Sequence, residues 1–537
     1  MTRSNPEAIW DVVVVGAGPA GLAAALEAAE AGARVVVLDA EARPGGQYWR
    51  HGPAGPGRYH HDLPQWAELA SGLSAQTAAG RLEYRPGHQV WRVEALPDAG
   101  SQAGRRAPAA VVHAVRTVHA VRTVTDVRTV TDVGTGTGSA AGGVEQPVTL
   151  TARALVLATG AHDRSLPFPG WELPGVLTAG AAQALLKEHG VLAGDRVVVG
   201  GTGPFLLSVA AGLLEAGARV PALVEAGDGA GWVRGWRAVV PARNKLREGA
   251  GYAAVLARHR VLPRLRHAVV AAHGRDRVQA VTIARLDRAW RAVPGSQRRV
   301  DCDAVAVGWG FSARIDLALQ AGAVAVTGPD GGPAVAADPC GRTAVPGVLV
   351  AGELTGVGGA ELAVVEGRLA GAAAAAHASS SGAGRSGPTR DGRPALLARR
   401  SALTAFAAAM HAAHPVRDGW LGRLEADTLI CRCEEVPLAR LHEAVDDLGA
   451  TDPRTVKLLT RCGMGWCQGR ICAEAVAAVV ADRSGVPAAP GWNARPVAVP
   501  ITLAALAADP APTADSVPTT DPSQTVPDPD APGGSDD

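Results

Sequence analysis

The chain is poor in aromatic side chains, which make up 4% of its 537 residues. Alanine and glycine are in excess instead, a bias that reflects genome composition more than a special function. An excess of one charge is also missing. Fifty-two basic and 51 acidic side chains leave a formal net charge of +1, which removes any general electrostatic case for nucleic acid or an anionic membrane as partner. No stretch is apolar enough to span a bilayer, and a first strand starting near residue 11 leaves no room for a secretory leader. These absences point to the cytoplasm. Cysteine is scarce as well, seven in all, yet five lie between Cys431 and Cys472. In a cytoplasmic chain such clustering favours metal or redox chemistry over structural disulfides.

What is present is organised around Asp11 to Asp39. Four consecutive valines bounded by glycine read as a buried strand. Gly16, Gly18 and Gly21 then predict a tight turn, close backbone approach to a pyrophosphate and close helix packing. A helix from about Pro19 to Ala31 points its N-terminal amides at the phosphates. A second strand ends in Asp39, where a carboxylate takes ribose hydroxyls. Strand, turn, helix, strand and acid in register predict a dinucleotide site. The Gly45-Gly46-Gln47 turn brings backbone close to the same ligand, and a strand is expected around Val90.

At this length three or four domains are expected. Residues 97–147 interrupt the pattern with a six-residue repeat that starts at His113, recurs at His119 and Thr125 and decays from Thr131. An expanded surface hairpin or disordered insertion is preferred over a basic binding ribbon. Order returns in a buried strand ending Ala158-Thr159-Gly160, where the chain crosses back beneath its cofactor. A second strand-turn-helix-strand unit carries Gly201, Gly203 and Pro204 and ends at Glu225, but Leu206 stands at the third glycine position. It takes NAD or another adenine nucleotide, or it is kept as scaffold. The return to the first fold passes Gly352 and Glu353 and enters a helix near Ala360, placing Glu353 near a ribityl chain.

The expected boundaries are 8–190 for the first part of the first fold, 191–310 for the second, and 311–378 for the return. A linker (379–395), a helical connector (396–425), a cysteine module (426–486), a closing arm (487–508) and a disordered tail (509–537) follow. In the module, Cys431 and Cys433 precede two helices, and Cys467 and Cys472 lie on a glycine-rich loop. Four thiolates with amides facing the bridging sulfides suit a [2Fe-2S] centre; zinc is the alternative, though its sites favour C-x2–4-C pairs. Cys462 competes for a place because it too lies five residues from Cys467. Cys302 and Cys340 read as buried small hydrophobes. No Cys-x-x-Cys lies near the first fold, and no general base stands out; His162 and Asp163 read as turn formers.

Residues 10–505 resemble the flavoprotein subunits that carry a bacterioferritin-associated-ferredoxin-like domain. Such subunits belong to opine oxidase, to hydrogen cyanide synthase, and, as the alpha subunits, to dye-linked proline and hydroxyproline dehydrogenases. The matching stretches are Gly16-x-Gly18-x-x-Gly21, Arg43-Pro-Gly-Gly-Gln47, Ala158-Thr-Gly-Ala161, Pro167-Phe-Pro-Gly-Trp171, Leu173-Pro-Gly-Val176, Gly201-Thr-Gly-Pro204, Gly463-Met-Gly465-x-Cys467-Gln-Gly-Arg470 and Arg495-Pro-Val-Ala-Val-Pro500. Cys462 departs from the pattern, standing where the family usually has alanine, and the repeat insertion departs from it too. The resemblance implies an α/β fold of two nested Rossmann-like domains plus a small, mainly helical [2Fe-2S] domain. It implies FAD on Gly16, Gly18, Pro19, Ala20, Gly21, Asp39, Gly45, Gly46, Gln47, Val90, Ala158, Thr159, Gly160, Gly352, Glu353 and Ala360, and the cluster on Cys431, Cys433, Cys467 and Cys472. It also implies two partners: a separate catalytic flavoprotein of the amino-acid-oxidase type, and a downstream electron acceptor. The alternatives are a self-contained NAD(P)H-dependent flavin reductase and a non-catalytic scaffold protein.

Overall fold

The computed structural model describes residues 9–102, 105–118, 144–234, 243–379, 389–487 and 496–508. The valine run forms strand Trp10–Val15, buried along its whole length. It is flanked in parallel by Val35–Leu38 and by the second half of Val144–Leu157. Leu82–Arg85 and Val348–Val350 extend this parallel core. Alternate residues serve opposite faces, as strand geometry requires. Val12 and Val14 join the core beneath two helices, whereas Val13 and Val15 join the core on the other side. Both faces are covered, so the run is uninterruptedly apolar.

The two helices are Pro19–Glu30 and Ala360–Ala378. They touch through small residues: a Cβ on Gly367 or Gly371 would overlap the carbonyl oxygens of Ala20 or Ala24. The alanine excess thus has a structural use, since it lets two helix backbones approach closely.

The second fold is a parallel sheet ordered Val176–Thr178, Ala304–Gly308, Val197–Gly201, Leu223–Glu225 and Arg264–Leu265, with an antiparallel three-stranded sheet beside it. The chain enters through Ala161–Asp163 and leaves through Phe311–Ala313. These segments pair antiparallel, His162 opposite Ser312. His162 and Asp163 are therefore ribbon residues, not turn formers: the pairing partner lies 150 residues away, beyond the reach of local pattern.

Two sequence expectations need correction. The flanks of the 97–147 repeat do pair as a hairpin, but one built into the main sheet and not inserted on its surface. The first repeat copy lies in strand Ala110–Val118, which pairs with His88–Ala95 and, up to Val118↔Val144, with Val144–Leu157. Strand Ala110–Val118 carries the β-branched Val111, Val112 and Val115, which favour a pleated surface; the later copies lie outside the described residues. The helical connector also starts earlier than residue 396, in helix Thr389–Ala413 with Pro394 inside it. Ion pairs from Arg399 to Glu361 (3.0 Å) and from Arg400 to Glu366 (2.9 Å) hold that helix on Ala360–Ala378. In the early turns Arg393 reaches Cys340 Sγ at 3.0 Å, so a tertiary contact outweighs the linker-like composition. The tail from 509 lies outside the described residues.

The cysteine module is mainly helical, with Leu438–Asp446, Pro453–Thr460 and Ala473–Ser484. Asp452 caps the second helix, accepting from the Thr455 amide at 3.0 Å. The module does not stand apart. Leu441, Val456 and Val476 share one core with Trp290 and Trp309 of the second fold and with Trp420.

Candidate flavin site and cysteine centre

The first glycine loop is built for a ligand. Gly16 and Gly21 are demanded by the protein, because side chains there would overlap the Ala158 and Gly16 carbonyl oxygens. Gly18 is not: a Cβ there would meet nothing nearer than Gly46 Cα, at 3.8 Å. That open space lies at the N-cap of helix Pro19–Glu30, which has no side-chain cap and leaves first-turn amides for an anion. Gly45 donates to the Ala17 carbonyl at 2.8 Å, which seats the Gly45-Gly46 turn on this loop. Asp39 follows strand Val35–Leu38, and its carboxylate accepts from the amides of Ala17 and of Glu41, the latter at 2.7 Å. Burial pushes its carboxyl up to about 6. These features fit the pyrophosphate and ribose of FAD.

The other expected residues fall into separate roles. Thr159 spends its hydroxyl on the Arg314 carbonyl (2.6 Å), tying the two crossings between the folds. Ala158 donates to the Val15 carbonyl beside the glycine loop. Gln47 is exposed and Val90 is buried in its strand. Gly352 and Glu353 open a 3-10 turn, and Ala360 begins the helix after it. Glu353 accepts from the Gly358 and Gly359 amides at 2.9 and 3.1 Å, while burial lifts its carboxyl to about 7. Sequence reasoning missed its neighbour Glu366, a buried carboxylate that accepts from the Gly352 amide, Thr355 and Arg400. Glu366 stands inside an apolar helix, and that misplaced charge was the available signal.

The second fold differs at the corresponding acid. Glu225 accepts from the Thr202 hydroxyl (2.7 Å), the Gly203 amide (2.9 Å) and the Gly227 amide (2.8 Å). His414, just past helix Thr389–Ala413, places Nδ1 3.6 Å from the same carboxylate, while its Nε2 accepts from Trp232 Nε1 at 3.0 Å. A Cβ on Gly231 would overlap Ala413. The chain's own helix end thus packs over this acid. Gly201 presses on Gly308, Pro204 caps helix Phe205–Glu215, and Leu206 is buried against Gly308.

The structure divides the five clustered cysteines into two groups. The sulfurs of Cys431, Cys462 and Cys472, all buried, lie within 4.8 Å of one another. Cys433 is exposed and Cys467 half-buried, and their side chains touch. The sequence-derived set is thus brought together as two pairs, Cys431 with Cys472 and Cys433 with Cys467, and Cys462 joins the first. Hydrogen bonds from Cys462 and Cys472 drive the Cys431 thiol well down, and sharing that one negative charge drives the other two up. The Gly463 and Glu434 amides also donate to Cys431, and the Cys467 amide donates to Cys433. Gly465 must lack a side chain, because a Cβ would overlap that of Cys433. Trp466, between Gly465 and Cys467, is 80% exposed. Converging thiols ringed by amides are a donor set suited to an iron–sulfur cluster. Cys302 and Cys340 are buried elsewhere, each 4% exposed, and burial pushes the Cys302 thiol up to about 11.

Contacts join the cysteine loop to the flavin fold. Arg470 reaches Asp316 (3.3 Å) and the Ala498 carbonyl of the closing arm. Arg164, one residue past the entry ribbon, pairs with Asp330 at 3.2 Å and Glu474 at 2.5 Å. Trp171 donates from Nε1 to the Leu429 carbonyl at 2.7 Å. Among the described residues no helix is long and apolar enough to cross a membrane.

Comparison with known proteins agrees with this geometry. Residues 10–379 match the pyridine nucleotide-disulphide oxidoreductase family, and residues 429–482 match the BFD-like [2Fe-2S] binding domain. An opine oxidase subunit of Agrobacterium tumefaciens (strain Ach5) is 32% identical over 93% of this chain and 91% of its own length. Hydrogen cyanide synthase subunit HcnB of Pseudomonas protegens is 30% identical over 86% of this chain and 89% of its own. L-proline dehydrogenase from P. horikoshii shares the fold with a TM-score of 0.58 at 20% identity, covering 94% of this chain and 81% of that one. The chain therefore belongs to the pyridine nucleotide-disulphide oxidoreductase family, as an FAD-dependent oxidoreductase that carries a BFD-like [2Fe-2S] domain.

Proposed function

We propose that this chain is the electron-transferring subunit of a cytoplasmic complex that oxidises an amine, an imino acid or an opine, and that Cys431, Cys433, Cys467 and Cys472 hold its [2Fe-2S] cluster. Relatives named as oxidase and synthase subunits support a multi-subunit setting, in which an amino-acid-oxidase-like chain removes two electrons from the substrate. When bound, FAD supplies the conversion between paired and single electrons, and the cluster supplies one-electron transfer to a downstream acceptor. The residues of this chain do the rest. Gly18 leaves room for the pyrophosphate, Gly46 packs closely on Gly18, Asp39 receives the ribose, and Arg470 and Arg164 fix the cysteine loop to the flavin fold.

The observation that carries the reading is the cover over Glu225. A self-contained NAD(P)H reductase needs that carboxylate for an adenosine ribose; its loop hydrogen bonds are of the kind Asp39 also accepts, but His414 Nδ1 in addition stands 3.6 Å from it. The ligand assignment rests on two thiol pairs that would together hold the cluster, with Cys462 as competitor for the buried pair.

Anaerobic addition of NADH or NADPH to the isolated protein tests the function. The flavin is expected to stay oxidised, and rapid bleaching overturns the assignment in favour of a reductase. A colourless protein, purified after iron and riboflavin supplementation, supports the scaffold alternative instead. Affinity purification from the native cell is expected to bring down an amino-acid-oxidase-like chain.

A further inference from the structure

Helix Ala179–His189, helices Phe205–Glu215 and Arg243–Arg258 of the second fold, and the loop at Arg58 to His61 line an open cavity of about 330 Å³. None of its lining residues belongs to the glycine loops or to the cysteine module. Lys187 is part of its wall and is 8% exposed. Its Nζ donates to the Tyr48 carbonyl at 3.0 Å and lies 5.6 Å from the Tyr48 ring centre. Tyr48 directly follows Gln47 of the flavin turn.

The charges around this cavity are unbalanced. Among the described residues, Lys187, Arg58 and Arg247 have no carboxylate within ion-pair distance. Two acids share the lining. Glu248 accepts from the Tyr252 hydroxyl at 2.7 Å, and Glu215 faces Arg258 at 3.9 Å. A buried ammonium with two N–H groups unspent is costly unless an anion meets it. Burial pushes Lys187 down to about 8, against the weaker upward pull of Glu248.

We propose that this cavity binds a small organic carboxylate, with the carboxylate on Lys187 Nζ, Arg58 and Arg247 at the mouth, and an apolar body against Tyr252 and Val255. Phosphate sites use backbone amides at helix N-termini or glycine loops. Here the lining comes mostly from helix interiors, whose amides are bonded within the helix, so side-chain cations carry the recognition. The apolar wall calls for an organic body that inorganic phosphate lacks. The proposal does not depend on the electron-transfer reading: the cavity would bind its ligand even if NADH bleached the flavin.

Titration calorimetry of the holoprotein with benzoate, benzyl alcohol and inorganic phosphate is the test, with flavin difference spectra recorded in parallel. Benzoate is expected to bind and to perturb the flavin spectrum through the Gln47–Tyr48 turn, while the neutral alcohol and phosphate do not. Lys187→Met is expected to weaken benzoate by about tenfold or more, and Arg247→Gln, at an exposed position that leaves folding intact, by several-fold. Absence of benzoate binding, equal binding of the alcohol, equal competition by phosphate, or unchanged affinity in both variants overturns the proposal.

Discussion

His162 Nε2 lies 3.0 Å from the Arg470 carbonyl oxygen and must donate to it, since a carbonyl only accepts. One hydrogen bond thus links the ribbon leaving the flavin crossing to the loop bearing Cys467 and Cys472. The other ring nitrogen, Nδ1, is buried with no partner among the described residues, so the imidazole is the neutral Nε2–H tautomer. Burial, reinforced by Arg314, Arg470 and Arg164, pushes its pKa down to about 4. The unfolded imidazole protonates near 6.5, so stability is full above that pH and declines as pH falls from 6.5 towards 4. The loss attributable to His162 is about 3 kcal/mol at most. His162→Gln keeps a donor for the carbonyl and removes the titration. Its urea-unfolding free energy should vary less than wild type between pH 6.5 and 4, and equal slopes would contradict the assignment.

Gly18 and Gly21 should behave oppositely on substitution. At Gly18 an added Cβ fills space that the protein leaves open, so Gly18→Ala should keep its melting temperature and lose FAD affinity by about tenfold or more. Gly21→Ala drives a methyl into the Gly16 carbonyl and should lower stability by about 1–3 kcal/mol or prevent folding. Thermal unfolding of apoprotein and flavin titration separate the two.

The cysteine loop permits a graded test. Gly465→Ala forces Cβ against Cys433 and should strip iron while leaving FAD in place. Cys467→Ser should do the same. Cys462→Ser should retain iron, acid-labile sulfide and the visible spectrum. Because Cys462 shares the buried trio with Cys431 and Cys472, iron lost from Cys462→Ser and kept by Cys467→Ser would transfer the ligand role.

Arg164 lies between Asp330 and Glu474 and is 8% exposed. Arg164→Met leaves two carboxylates facing each other without their cation, which should cost about 3–5 kcal/mol. Adding Asp330→Asn and Glu474→Gln should recover much of that loss. Denaturant unfolding of the single and triple variants checks both statements.

Much of this was legible in the sequence where the signal is local. Gly16, Gly18, the valine run and Asp39 sit within thirty residues and impose their geometry on each other. Asp452 with Pro453 announces its helix start in the same way. What stayed hidden depends on distant chain segments meeting. Spacing alone could not rank Cys462 against Cys467, because the nearness of Cys462 to Cys431 arises only when the loop docks on strand Leu429–Cys431. The helix at 389–395 was masked by Gly392 and Pro394, and the partner of its Arg393, Cys340, lies 53 residues earlier. The cover over Glu225 needed His414, almost two hundred residues on. Lys187 gave no sign at all, since one lysine on a helix is usually solvated.

Val118 and Val144 face each other across two neighbouring antiparallel strands, so the ends of the 25 intervening residues are already a hairpin's width apart. Excising 119–143 and joining the ends through Asn-Gly should therefore yield a shorter protein with unaltered colour. The same junction is a natural splice point for a fluorescent reporter or an immobilisation tag.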